Sequence, residues 1–572
     1  MFCKVTHYFA VVNIRKTMQL LFVRQTSIST FAFCLSLIAL ALCSRGASAQ
    51  LSDNLSLGNP KALALGHAVT ADPPGIDSIH YNPAGLAKIK GRQLSVKLLA
   101  AKMIFEAEFG KRHLDKANTT DGRTIDQAYL DHTGEQYPDD PFENTESYTD
   151  TPILMLPFGG LTEVPEIIVP FGGIAIEDPE FGWVFATAVY APQSLGFQRD
   201  SDDPGRYQGE EVGISRITYL SPSIGIQVND TLSIGVSIGL SWQGLGIRTG
   251  IRAPETTLAF LEHAATELET IGSELSAIGP YDPVGTLNIE MEDALSFSFN
   301  VGLLWEPKPW VSFGLVYQSE AKSDLKGDYS MENDTGAWLA MTQNLASTPL
   351  INGALSLING GYGLHGEAVT SGTVEAEYIS PAHFAVGTSV QLFPYLKVNI
   401  DFKWTDYAAW ESLDFHFSDS IDFLTISDLV YMFPAAQGDG DNADPTVMRT
   451  QRQYENVWTW AIGTEYQYSD NLVLRAGYEP RTSSVPEDRI DLLAPIGDAK
   501  LYTVGFGYQL DIFTQVDFAF GWMHSTYKAD AGVSQSANST EPGRVVYNPY
   551  AYLDIKGETN IYLMTFSYDT KF

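Results

Sequence analysis

Past residue 49 the chain has no cysteine. Its three thiols, Cys3, Cys34 and Cys43, all lie in the first 43 residues, so the rest can form neither disulfide nor thiolate metal site. It also lacks any apolar run of 18 residues, which excludes a membrane-crossing helix on hydropathy. Cations are scarce. Against 69 Asp and Glu stand 35 Lys and Arg, a net charge of −34, and such a balance repels nucleic acid and anionic membrane surfaces. Catalytic signatures are missing too. No HExxH or P-loop occurs, and the histidines that could serve as bases are scattered, as at His263 and His524. An acidic run, Asp439-Gly440-Asp441-Asn442-Ala443-Asp444, has Ala443 where calcium spacing needs a ligand and no bidentate Glu. No enzyme activity, cofactor or metal is expected.

The leader differs in composition from the rest of the chain. Residues 1–49 carry Lys4, Arg15, Lys16, Arg24 and Arg45 and no acidic residue; an apolar run, Phe31 to Cys43, precedes Ala47-Ser48-Ala49. This pattern predicts a secretory signal peptide over 1–49, with Met18 as an alternative start.

What the remainder has in abundance is alternation. Leu232, Ile234, Val236, Ile238, Leu240 and Trp242 alternate with Ser233, Gly235, Ser237, Gly239 and Ser241. Leu295–Trp305, Leu396–Trp404, Tyr502–Leu510 and Val516–Trp522 repeat the pattern. Side chains of a strand point alternately to its two faces. One face here is greasy and ends in an aromatic; the other is small and polar. A transmembrane β-barrel needs this dyad, with Trp and Tyr at the lipid boundary. Turn signals separate the runs into two classes. Short ones fall near 177–180, 229–230, 307–309, 393–394, 469–471 and 512–513, and long ones cover about 110–163, 192–212, 250–283, 331–364, 411–453, 482–498 and 529–554. The expectation is all-β: a 14-stranded antiparallel transmembrane barrel over 93–572, both ends on the short-turn, periplasmic rim. The last strand ends in Phe572, whose aromatic end looks like a signal for the barrel-assembly machinery. Residues 50–92, rich in Gly, Ala, Pro and Ser, show no alternation. They are expected to plug a lumen too wide for side chains to fill.

Within that plug, Asp77-Ser78-Ile79-His80-Tyr81-Asn82-Pro83-Ala84-Gly85-Leu86-Ala87 resembles the hatch motif of the FadL/TodX family of outer-membrane transporters. The lead Gly66–Asp72, Tyr190-Ala191-Pro192 with Gly205-Arg206-Tyr207, Phe297–Gly302 with Trp305-Glu306-Pro307, and Leu474–Tyr478 are similar to family segments in strand order. The resemblance implies passive uptake of hydrophobic compounds across the cell outer membrane, foremost long-chain fatty acids or else aromatic hydrocarbons. It further implies capture on outer loops, binding in the lumen, hatch movement and lateral exit through the third strand. The outer loops at 110–163 and 411–453 look longer than is usual in the family. A structural or adhesive barrel whose acidic loops bind a partner is the rival.

Particular residues stand out as candidates for the site. Asn82, Pro83, Ala84 and Gly85 form the hatch bend, since Asn bonds its own backbone and Pro fixes φ. Leu258, Leu261, Leu268 and Ile271 recur at helical spacing in a loop helix expected over about 254–278, and Trp338, Leu339 and Leu345 lie in another over about 335–358. These are expected to line a groove for lipophiles or to cap the barrel. Alternation points Lys397, Asp401, Lys403, Arg475 and Glu479 into the lumen, where Arg475, or Arg206 in a loop, could hold a carboxylate. Pro192 cannot donate a ladder hydrogen bond and marks the lateral opening. Outer-membrane lipid and lipopolysaccharide are the surroundings implied.

Overall fold

The computed structural model describes residues 55–116, 124–252, 278–279, 281–431, 444–539 and 548–572. The predicted signal peptide, the start of the plug, the loop-helix residues Leu258, Leu261, Leu268 and Ile271, and the acidic run up to Ala443 lie outside these.

Fourteen antiparallel strands form one wall. They are β1 (Arg92–Arg112), β2 (Ile167–Glu177), β3 (Val184–Gln198), β4 (Glu211–Leu220 and Ser223–Asn229), β5 (Leu232–Arg252), β6 (Pro283–Lys308) and β7 (Val311–Gln318 and Ala321–Asn333). Next come β8 (Val369–Ser380 and His383–Phe393), β9 (Leu396–Thr405 and Ser412–Phe417), β10 (Val447–Gln451 and Val457–Ser469), β11 (Leu472–Arg481), β12 (Asp498–Gln509), β13 (Thr514–Ala529) and β14 (Leu553–Lys571). β1 pairs with β2 on one side and with β14 on the other, from Gln93↔Lys571 to Arg112↔Leu553, so the sheet closes on itself. The short and long connections alternate as the sequence predicts. No described helix is long and apolar enough to cross a membrane. Polarity is inverted relative to a soluble protein: Ile234, Val236 and Ile238 are exposed, whereas Ser233, Ser237 and Ser241 are buried.

The wall is not uniform. Five strands break into two pieces, and the ladder between β6 and β7 lapses between Glu292↔Lys326 and Asn300↔Gln318. The widest departure is at β3. Its pairing to β2 ends at Gly172↔Val189, and a bulge at Ala191-Pro192 shifts the register to β4. Between Ala186↔Ser223 and Tyr190↔Thr218 the β3–β4 ladder is also interrupted, and the Ser221 hydroxyl bridges it by donating to the Ala188 carbonyl while accepting from the Ala188 amide. Beyond the bulge, the outward side of β3 (Ala191, Ser194) and of β4 (Ser215, Ile217) shares a cavity with the inward side of β1 (Leu99, Met103), β2 (Val169, Phe171) and β14 (Ile561, Leu563). Outer and inner faces can meet only if upper β3 bends into the barrel.

A feature not expected from the sequence covers that bend. Ile153–Leu156 and Gly160–Glu163 form a separate two-stranded hairpin. It crosses the outer face of β3, β4 and β5 in turn. The wall beneath is stripped of side chains: Gly196, Gly213 and Gly246 pair with one another across three strands, and so do Ser194, Ser215 and Gly244. A Cβ on Gly196 would collide with the Ile153 backbone, and one on Gly246 would stand 2.5 Å from Leu161 Cγ.

The long loop between β7 and β8 carries two helices, Ala337–Ser347 and Pro349–Ile358, where one was predicted over 335–358. Pro349 explains the division, since it lacks an amide donor and disfavours helical geometry at Thr348.

Candidate functional site

The plug is the first part of the site. Asn59 caps the short helix Pro60–Ala64, and Asn82 caps the turn Pro83–Lys88 by accepting from the Ala84 amide at 3.2 Å. The Asn82 amide group then donates twice, to the Thr70 carbonyl within the plug (2.7 Å) and to the Leu303 carbonyl of β6 (3.1 Å). One side chain thus ties plug to wall. Pro83 and Ala84 lie so close to β5 that a Cβ on Gly235 would collide with their backbone; Gly85 packs on Pro73 and Ser78. The wall is paved for this approach, with inward glycines also at Gly302, Gly314, Gly387, Gly463 and Gly477 against plug atoms.

Buried charge does the rest. Glu479 of β11 accepts from Lys403 (2.8 Å) and Arg481 (3.3 Å) and lies 3.0 Å from His67 Nδ1. Asp72 meets Lys61 (3.0 Å) and Lys397 (2.7 Å), and Lys397 also meets Glu465 (2.8 Å). Asp77 pairs with buried Lys97 and accepts from Asn59 (2.6 Å). Asp401 accepts from the Thr70 amide at 2.8 Å. Four of the five lumen charges expected from alternation, Lys397, Asp401, Lys403 and Glu479, therefore meet the plug or each other. Arg475 is engaged by Glu465 (2.7 Å) and Asp517 at the wall. Burial lowers the pKa of His67, opposed by Glu479, and pushes that of His80 down to about 3, with His383 and Arg216 adding to the effect.

Above the plug lies a cavity of about 420 Å³. Its wall side is Leu195, Val212, Ile214, Leu245 and Ile247; its far side carries Trp410, Tyr454 and Arg452, the last paired with Asp491. Gln193 lines both this cavity and a smaller polar one of about 80 Å³ that descends to the plug. Here buried Arg216 stands with His80, His383, Tyr190, Asn300 and Gln318 and donates to the Ser241 hydroxyl (3.4 Å). Arg216 was not among the residues expected from the sequence. The cavity behind bent β3 measures about 250 Å³ and is apolar, closed by Leu55 and Ser56 of the plug and by Leu154 and Leu156 of the hairpin. The Ser56 hydroxyl donates to the Ala191 carbonyl (2.9 Å), so the plug touches the bulge beside Pro192 directly.

The other predicted residues lie apart from these cavities. Trp338 is buried, its indole donating to Asn333 (3.0 Å), with Leu345 packed nearby and Leu339 half-buried. The exposed apolar side chains of the two helices are instead Leu350, Ile351 and Leu357. Arg206 lies over the Tyr207 ring at 4.9 Å, in the loop after β3. Phe572 is exposed at the short-turn rim, its amide donating to the Arg92 carbonyl (3.0 Å).

A family profile described as "Outer membrane protein transport protein (OMPP1/FadL/TodX)" matches residues 38–572. The long-chain fatty acid transport protein of Escherichia coli K12 is 22% identical over 231 residues, and that of Salmonella typhi likewise. Those alignments cover 40% of this chain and 42% of either relative, so under half the length of these relatives is matched. In fold the chain is similar to a Pseudomonas aeruginosa FadL homologue, at a TM-score of 0.62 and 16% identity, covering 92% of this chain and 100% of that one. It is also similar to the Pseudomonas putida toluene transporter TodX, at 0.54 and 13%, covering 91% and 99%. With the profile spanning barrel and plug together, this chain belongs to the OMPP1/FadL/TodX family of outer-membrane transport proteins.

Proposed function

We propose that this chain is a passive channel for long-chain fatty acids. The observation that carries the reading is an apolar lumen cavity that narrows onto a cation. The larger cavity, about 420 Å³, falls in the roughly 300–1,000 Å³ range of small-molecule sites. Leu195, Val212, Ile214, Leu245 and Ile247 suit an alkyl chain, and Arg216 below suits a carboxylate. An uncharged aromatic would use the first and ignore the second.

The arrangement suggests a route. Leu350, Ile351 and Leu357 offer apolar landing surface at the long-loop rim, which faces outward through lipopolysaccharide. The short-turn rim, with both chain ends and the Phe572 signal for the assembly machinery, faces the periplasm. Asn82 acts as the latch of the hatch. When the hatch shifts, Ser56 releases the bulge at Ala191-Pro192, and the ligand passes into the cavity behind β3 and leaves sideways between β2 and β3.

Uptake by cells expressing Arg216→Met tests this. Labelled oleate should enter at least tenfold more slowly than with the parent chain, and toluene at an unchanged rate. Equal loss for both would remove the carboxylate from the reading; no loss for either would remove the lumen route.

A further inference from the structure

The hairpin Ile153–Glu163 has no counterpart in the plug's machinery. It lies on the outside of the wall, over the stretch where β3 leaves β2. Ile153, Leu154 and Met155 are buried, and Leu154 and Leu156 form one end of the apolar cavity behind β3. Among the described residues no backbone hydrogen bond joins its two strands to the barrel; the flanking bridge Thr151↔Gln198 is the last. Pro152 and Pro165 bracket it, and the Val164 amide donates to the Pro152 carbonyl (3.2 Å) as a neck. Neither proline can pair into the wall, which keeps the hairpin a flap on a narrow base. The tip bears Phe158, 97% exposed, at a positive φ of 62°. Beneath the flap lies Trp242 of β5, the aromatic that ends the lipid-facing row Ile234, Val236 and Ile238.

We propose that this hairpin is a membrane-side gate over the lateral portal, resting on the proposed sideways exit. Closed, it seals the gap between β2 and β3 from the outside, as the hatch seals the cavity from within. It opens by swinging about Pro152 and Pro165. Apart from Gly160 against the Glu290 carboxylate of β6, its grip on the wall is apolar contact across glycine and serine, with no ladder to break, and hydrocarbon can replace such contact at little cost. A lipophile arriving in the cavity pushes against Leu154 and Leu156, and the flap yields toward lipid. The glycine rows then serve a moving part: side chains there would either hold the flap off or lock it down.

The absence of cysteine beyond residue 43 makes the test clean. Leu161→Cys with Gly246→Cys should cross-link, because Leu161 Cγ lies 2.5 Å from a Cβ placed on residue 246. Oxidation should cut labelled oleate uptake at least tenfold, reduction should restore it, and oleate binding to the purified barrel should not change. Uptake unaffected by the cross-link, or failure of the pair to cross-link, would overturn the proposal. A second measurement does not depend on uptake. Ser194→Cys, under the flap, should react slowly with N-phenylmaleimide in lipid vesicles, and at least fivefold faster when residues 153–163 are replaced by a short Gly-Ser link. Equal rates would sink the gate. A reduced double variant that carries no oleate while the labelling contrast holds would instead sink the transport reading and leave the gate standing.

Discussion

Two inserted pieces of chain press against this barrel, the hatch inside and the hairpin outside, and both sit on wall cleared by glycine. They differ in what holds them. The hatch meets backbone at Gly235 and Gly477, donates and accepts through Asn82, and is pinned by Glu479, Asp72 and Asp77. The hairpin meets mainly side-chain ends, such as Leu161 and Met155, and contributes no backbone bond to the wall among the described residues. Removing one partner of a buried ion pair costs about 3–5 kcal/mol. Apolar burial is worth about 1.5–3 kcal/mol per large side chain in water, but much less where lipid is the alternative. The same paving therefore supports a tightly held stopper on the dry side and a loosely held flap on the greasy side. Close approach alone does not fix an element; polar pairing does.

The largest expected effect breaks the tight half. Asp77→Ala leaves Lys97 of β1 buried without its hatch carboxylate and should loosen the hatch by about 3–5 kcal/mol. Hydrogen exchange of amides in 60–88 would rise while barrel amides stay protected. A middle effect separates the two seats. Gly235→Ala collides with the Pro83 backbone and should cost about 1–3 kcal/mol, whereas Gly246→Ala meets only the flexible end of Leu161 and should cost about 1 kcal/mol or less. Thermal unfolding of the two variants in one detergent compares them; equal losses would erase the distinction. The smallest effect is pH dependence. Burial holds His80 neutral, its pKa pushed down to about 3, with His383 and Arg216 nearby, against about 6.5 when free in water. Seating binds fewer protons, so the contribution of His80 is complete above about pH 6.5 and declines as pH falls from there toward 3. Protection of hatch amides, after correction for the intrinsic pH dependence of exchange, should fall between pH 7 and 5, and His80→Phe should flatten that dependence.

The barrel was legible because lipid and lumen impose opposite polarity on alternate residues, as along Leu232–Trp242. The same rule explains what was missed. In Glu211–Leu220 the outer residues Gly213 and Ser215 are small under the hairpin, and the inner ones, Val212 and Ile214, are greasy against the lumen cavity. Polarity is reversed there, so nothing in the pattern marked Arg216 as inward. The hairpin itself, ILML and GLTE around Pro157-Phe158-Gly159, sits in a long loop where periodicity carries no depth information. Lumen charges were placed correctly by face, but Arg475 and Glu479 have partners 42 and 412 residues away, Asp517 and His67, that no local pattern reveals. Pro192 was a readable break; that β3 parts from β2 over a longer stretch than from β4 needed the register.

Because His67 bonds to Glu479 and Ala64 to Thr503, the residues made before any strand can settle only after the eleventh and twelfth strands have arrived. A wall that has not yet added β12 thus lacks part of the stopper's seat, and the stopper's arrest becomes the molecule's own record that those strands are in place.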